Sequence, residues 1–245
     1  MTKHRFATEE IEKFSTVDLI AELKRRYQVL SRPERSCVII GHPQAGVSSQ
    51  ATFLRKEWGM CLIKRSDVLA KDDSDIHEGL NKLSDELASF RCRRGFVMEN
   101  FPATEQEAKL FDSMMNKAHA DRKEYTPVLL TMPSETEEDQ KSSLDLVTKR
   151  AMGHMVHEKS GRIYNSSVTD LSPQIPNTDD VTGEPLICPR KDMTGLADKA
   201  LLWWNTSKPE IMNYYGSRLR VVDASQTRDS VSVEISKALL QAGSQ

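Results

Sequence analysis

Gly41 and Gly46 bracket a short loop, Gly41-His42-Pro43-Gln44-Ala45-Gly46, that leaves the apolar run Cys37-Val38-Ile39-Ile40. It enters a helical pattern carrying Phe53, Leu54 and Trp58. A buried strand, a tight glycine loop and a helix in that order commit the chain to layers of helix on a parallel sheet. Glycines let backbone N–H groups converge on an anion, and the helix N-terminus adds a partial positive charge. The loop is therefore a phosphate cradle in form. The usual motif places Lys and then Ser or Thr after the second glycine. Here Gly46 is followed by Val47, then Ser48 and Ser49. Gly41, Ala45, Gly46, Ser48 and Ser49 form the candidate cradle, and its point charge is missing at Val47, whose apolar side chain is expected where a triphosphate would sit.

The rest of the chain repeats the same alternation. Residues 15–30 read as a helix with Ser15 and Asp18 suited to a capping box and a stripe of Leu19, Ile20, Leu23, Tyr27 and Leu30. Met60–Ile63, Gly95–Met98, Pro127–Thr131 and Leu219–Val222 read as further strands, with amphipathic helices between them. Residues 134–143 are acidic and polar and are expected to loop out before a helix through Leu144, Val147 and Met152. The segment from about 156 to 189 carries proline, glycine and paired aspartates without a long apolar run, and reads as an inserted subdomain. The adjacent Trp203 and Trp204 point about a quarter-turn apart on a helix, which puts one in the core and leaves the other partly exposed.

Charge excludes some classes of partner. Lys and Arg number 34 against 36 Asp and Glu, so no general nucleic-acid surface is implied. Lys24-Arg25-Arg26 and the arginines at 91, 93 and 94 read as solvated helix faces and ends. The four cysteines, Cys37, Cys61, Cys92 and Cys188, have no CxxC spacing and read as core thiols of a reducing compartment. No apolar run reaches the length of a membrane span. A cytoplasmic location follows, with a mitochondrial or flagellar assembly as the alternative.

Four blocks resemble the adenylate kinases of the long-lid type: the loop 41–50, Gly95-Phe96-Val97-Met98-Glu99-Asn100-Phe101-Pro102-Ala103-Thr104, Val156-His157-Glu158-Lys159-Ser160-Gly161-Arg162-Ile163-Tyr164, and Asp179-Asp180-Val181-Thr182-Gly183-Glu184-Pro185-Leu186. Residues 1–33 are similar to the helical extension of plant-type members. The resemblance implies a P-loop nucleoside monophosphate kinase fold over 34–245: a parallel five-stranded sheet flanked by helices, with a monophosphate-binding region at about 64–94 and a lid at about 156–189. It implies reversible phosphoryl transfer between ATP and AMP, in which cationic side chains supply the catalysis.

Those cations are largely gone. Beside Val47, Ala103 replaces the arginine of the GFPRT-like block, and Ala70 replaces the monophosphate-contacting arginine of the block 62–70, where Arg65 stands for a threonine. Glu107 fills the place of the glutamine that reads adenine, and Glu99 that of the magnesium-associated aspartate. Arg150 matches an arginine near the ATP base, but His154 stands for the next one. Arg190 aligns with a phosphate-binding arginine, and Leu201 falls where another is expected. Loss of one transition-state cation costs about a hundredfold to a hundred-thousandfold in rate. The expectation is a decayed kinase, with ATP and magnesium held weakly at most, acting with protein partners in an assembly. Its alternatives are an active monophosphate kinase and a nucleotide sensor. His157, Ser160, Asp179 and Thr182 keep the spacing of a zinc ribbon without its thiolates, which implies a hydrogen-bonded lid and no zinc.

Overall fold

The computed structural model describes residues 15–69, 76–118, 124–168, 171–188 and 195–242. Five strands, β1 (Cys37–Gly41), β2 (Cys61–Lys64), β3 (Phe96–Glu99), β4 (Thr126–Thr131) and a last one at Arg220–Asp223, pair in the order β2-β3-β1-β4-last, all parallel. Parallel neighbours need crossover connections, and helices supply them on both faces. Successive side chains of β1 point to opposite faces: Cys37 and Ile39 enter one core, Val38 and Ile40 the other. The first core is closed by α2 (Val47–Trp58), α6 (Glu137–Met152), α7 (Leu196–Asn205) and α9 (Arg228–Gln241). The second is closed by α4 (Ile76–Ala88), α5 (Glu105–Ala118) and α8 (Ser207–Tyr215). The α/β architecture expected from the sequence is the one observed. A one-turn helix α3 (Arg65–Val68) follows β2. Two short antiparallel strands, β5 (His154–Val156) and β6 (Ile163–Asn165), open the expected lid, so the last sheet strand is β7.

Three expectations need correction. Residues 137–143 do not loop out but begin α6: Thr136 caps the helix through the Asp139 N–H, and Asp139 bonds back to Thr136. That reciprocal capping box outweighs the polarity of the stretch. Cys61 and Cys92 are not free thiols but a disulfide, with Cα atoms 5.0 Å apart. Neighbouring parallel strands bring the start of β2 beside the short 3₁₀ turn before β3, a proximity that no local spacing announces. Cys37 remains a buried thiol and Cys188 an exposed one.

The third correction concerns α1 (Thr16–Ser31), where Arg25 is expected, like Arg94 elsewhere, to be a solvated charge. Its apolar stripe does not face the protein. The helix is instead attached by its polar edge: Arg25 donates to the Lys56 carbonyl at 2.9 Å, and Arg94 donates to the Val29 and Arg32 carbonyls at 2.8 Å. Arg25 and Arg94 are therefore anchors rather than purely solvated charges.

Candidate functional site

The loop after β1 is built as only glycine permits. A Cβ on Gly41 would meet the Leu130 carbonyl oxygen at 2.8 Å, and Gly46 adopts φ of +91° with open space where its Cβ would stand. Ala45 N–H donates to the His42 carbonyl at 3.1 Å, and Gln50 N–H to the Gly46 carbonyl at 3.0 Å, so the loop turns directly into α2. The opening N–H groups of that helix have no partner within it and face the loop. Asn100, at φ of +56°, accepts from the Gly41 N–H at 3.3 Å and fixes the loop to the end of β3.

These elements border a cleft of about 510 Å³ that also meets Arg150, His154 and residues 224–231. Gly41, Ala45, Gly46, Ser48, Ser49, Arg150 and His154 thus share one cavity. Val47 borders it too, but its side chain is 5% exposed and packs with Ile39, Ala51 and Leu130 beneath the loop. At that position it brings no charge to the cleft. Ser48, at the cleft, donates its hydroxyl to the Glu99 carboxylate, placing two hard oxygen donors side by side. Such a pair fits magnesium in its donor chemistry. The Arg150 guanidinium donates to the Gln44 carbonyl at 3.3 Å and to the Gln226 carbonyl at 3.3 Å, which sets it as one wall. Burial holds its pKa below the ordinary guanidinium value.

His42, which the sequence did not single out, lies under the loop. Its ring is buried against Trp204 at 5.1 Å and Trp203 at 5.8 Å, and Nδ1 lies 2.8 Å from the Pro43 carbonyl. Burial lowers its pKa to about 4, so it is neutral at physiological pH. Trp204 is core and Trp203 partly buried, and together they tie α7 to the loop.

Beyond Asn100, whose carbonyl accepts from Arg65 at 3.2 Å, two of the protein's own charges pair. Arg65 meets Glu107 as a two-pronged fork, Nη1 to Oε2 at 2.7 Å and Nη2 to Oε1 at 2.5 Å. Glu107 also accepts from the Ala103 N–H at 2.7 Å, and the Arg65 guanidinium lies 5.8 Å from the Phe101 ring centroid. Arg65, Ala103 and Glu107 are therefore brought together, and Arg65 is not free to swing toward a phosphate. Ala70 and Arg190 lie outside the described residues. Leu201 packs against the core from α7 rather than standing in the cleft.

Around β5 and β6, His157, Ser160, Asp179 and Thr182 fall into one network. The His157 ring bonds Ser160 Oγ at 2.7 Å through Nδ1 and Glu184 at 2.8 Å through Nε2. Asp179 accepts from Arg162 at 2.7 and 2.6 Å, from Thr182 Oγ1 at 2.7 Å and from the Tyr164 hydroxyl at 2.9 Å. Arg162 first, and then its hydroxyl and N–H donors, hold Asp179 far below the usual carboxylate range. Arg162, Tyr164 and Glu184 were not picked out from the sequence, although all three lie inside the blocks that carried the resemblance. Among the described residues no group of three His, Cys, Asp or Glu side chains is placed to hold a metal ion.

No protein-family model matches the chain. It is 26% identical over 254 residues to Adenylate kinase 4 of Arabidopsis thaliana, covering 95% of this chain and 98% of that protein. It is 24% identical to Adenylate kinase 4 of Oryza sativa subsp. japonica, over 95% and 99% of the two chains. It is 28% identical to an adenylate kinase of Lodderomyces elongisporus, over 91% and 94%. Along nearly its whole length the chain is similar to adenylate kinases. Among the described residues no helix is long and apolar enough to cross a membrane.

Proposed function

We propose that this protein is an adenylate-kinase-like module in which phosphoryl transfer to AMP has decayed and which serves as a binding or structural subunit of a larger assembly. The observation that carries the reading is the Arg65–Glu107 fork. A monophosphate site needs free bidentate donors for its anion. Here Arg65 is already paired with the Glu107 carboxylate, and Ala103 offers no replacement cation. On the triphosphate side the backbone cradle and the Ser48–Glu99 pair are kept, which supports weak binding of ATP with magnesium at Gly41, Ala45, Gly46, Ser48 and Ser49, with Arg150 as a wall. A core, a monophosphate-binding region at about 64–94, a lid at about 156–189 and an N-terminal extension at 1–33 complete the reading. Its location is taken as cytoplasmic, or within a mitochondrial or flagellar assembly.

A coupled assay of ADP formation from ATP and AMP tests it. The expected result is no turnover above background in the wild type and in the double variant Val47→Lys/Ala103→Arg, because Glu107 still ties Arg65. Ready turnover by the wild type would favour the second reading, an active monophosphate kinase, for which the Ser48–Glu99 pair is the supporting observation.

A further inference from the structure

We propose that α1 and α2 together form a docking cleft for an acidic amphipathic helix of a partner protein. The first observation is the orientation of α1. Ile20, Leu23, Tyr27 and Leu30 form one stripe at helical spacing, yet they are 48%, 67%, 73% and 60% exposed. The side turned toward α2 carries Glu22, Arg25 and Val29 instead, each half-buried. An amphipathic helix normally buries the opposite face, so this one is set with its apolar stripe outward.

The second observation is what adjoins the stripe. A cleft of about 520 Å³ opens between α1 and the end of α2. Arg25, Arg26, Arg55 and Lys56 line it with no carboxylate among the lining residues, and Leu30 belongs to both the cleft and the stripe. Gly59 forms part of the wall; a Cβ there would meet Val29 Cγ1 at 2.9 Å, so glycine is what lets the two helices approach. Glu22 engages Arg25 and Arg26 at 2.7 and 2.8 Å and the Lys56 carbonyl holds Arg25 at 2.9 Å, so those side chains are positioned in advance. Arg55 and Lys56 form no side-chain hydrogen bond or ion pair among the described residues and are exposed.

An apolar stripe bordered by a cationic recess selects its complement: a helix with apolar residues at i, i+3, i+4 and i+7 and carboxylates along one flank. A second copy of this chain would bring cationic recess against cationic recess. A planar anionic membrane fits less well, because Arg25 is held down in the recess against α2. The inference deepens the assembly reading above but does not depend on the nucleotide sites. A protein that turned over AMP and still bound such a helix would overturn that reading and leave this one standing.

The test uses the full chain and a fluorescein-labelled 16-residue helical peptide, with leucines at that spacing and glutamates on one flank, read by anisotropy. Saturable binding is expected, weakened at least about tenfold by Arg55→Glu/Lys56→Glu and, separately, by Leu23→Gln/Tyr27→Gln, and weakened by raising the salt. The milder Arg55→Gln/Lys56→Gln serves if the charge reversal perturbs the circular dichroism melt. No binding, or equal binding of a scrambled peptide of the same charge, overturns the proposal. Equal loss to phosphatidylserine vesicles in a sedimentation assay, or a dimer in analytical ultracentrifugation that Leu23→Gln/Tyr27→Gln dissolves, overturns it in favour of a membrane or a second copy.

Discussion

The loop after β1 and the region of Arg65 and Glu107 are built from different materials. The cradle is made of backbone: Gly41, Gly46 and the start of α2 hold their shape by φ angles and close approaches that do not depend on a lysine. Val47 is buried in the core beside that backbone and adds no charge to it. The proposed monophosphate region would instead depend on side-chain cations, and Ala103 supplies none. The fork between Arg65 and Glu107 now occupies the ground.

That contrast can be broken most sharply by rate. Assayed beside the Arabidopsis relative, the wild type is expected to form ADP at least about a thousandfold more slowly, since several cations act on one transition state. Comparable rates would remove the contrast altogether.

The loop's dependence on burial gives the next largest effect. His42 is kept neutral beneath the cradle with its pKa lowered to about 4, so the unfolded chain binds the extra proton at a higher pH than the fold does. Stability should fall as pH drops from about 6.5 through about 4, by about 3 kcal/mol from this residue. In urea titrations across that window, His42→Phe should lose less stability than the wild type by that amount; parallel losses would show that the ring is not the sensitive group.

Gly41→Ala should cost about 1–3 kcal/mol through the collision with the Leu130 carbonyl and remove any ATP binding. Retained ATP binding would mean that the cradle is not where the nucleotide sits. Within the double variant Val47→Lys/Ala103→Arg, adding Glu107→Gln should free Arg65 and raise AMP affinity by roughly tenfold, read by calorimetry. An unchanged affinity would leave the fork without a role in closing the site. Smallest is the lid: Asp179→Asn removes the acceptor of Arg162, Tyr164 and Thr182, and limited trypsin digestion within 156–189 should quicken several-fold while the core resists.

Much of this was legible in the chain. Short apolar runs alternating with amphipathic helices gave the five-stranded parallel sheet, because strands buried on both faces must be apolar throughout. The loop was legible because glycine spacing encodes backbone conformation directly. What escaped were relations between distant residues. Nothing local announces that Cys61 meets Cys92, that Arg65 reaches Glu107, or that His42 slides under Trp204. The Thr136–Asp139 capping box was readable but was outweighed by the acidity around it. The α1 stripe shows the converse: its period announced a helix, yet period alone cannot say which face meets the protein.

Isothermal titration of the full chain with ATP·Mg, with AMP and with diadenosine pentaphosphate tests the central claim most directly. The account predicts weak, saturable heat from ATP·Mg, none from AMP, and no gain for the two-site analogue over ATP. Tight binding of the analogue, or saturable heat from AMP alone, would show that the monophosphate site is open and would contradict it.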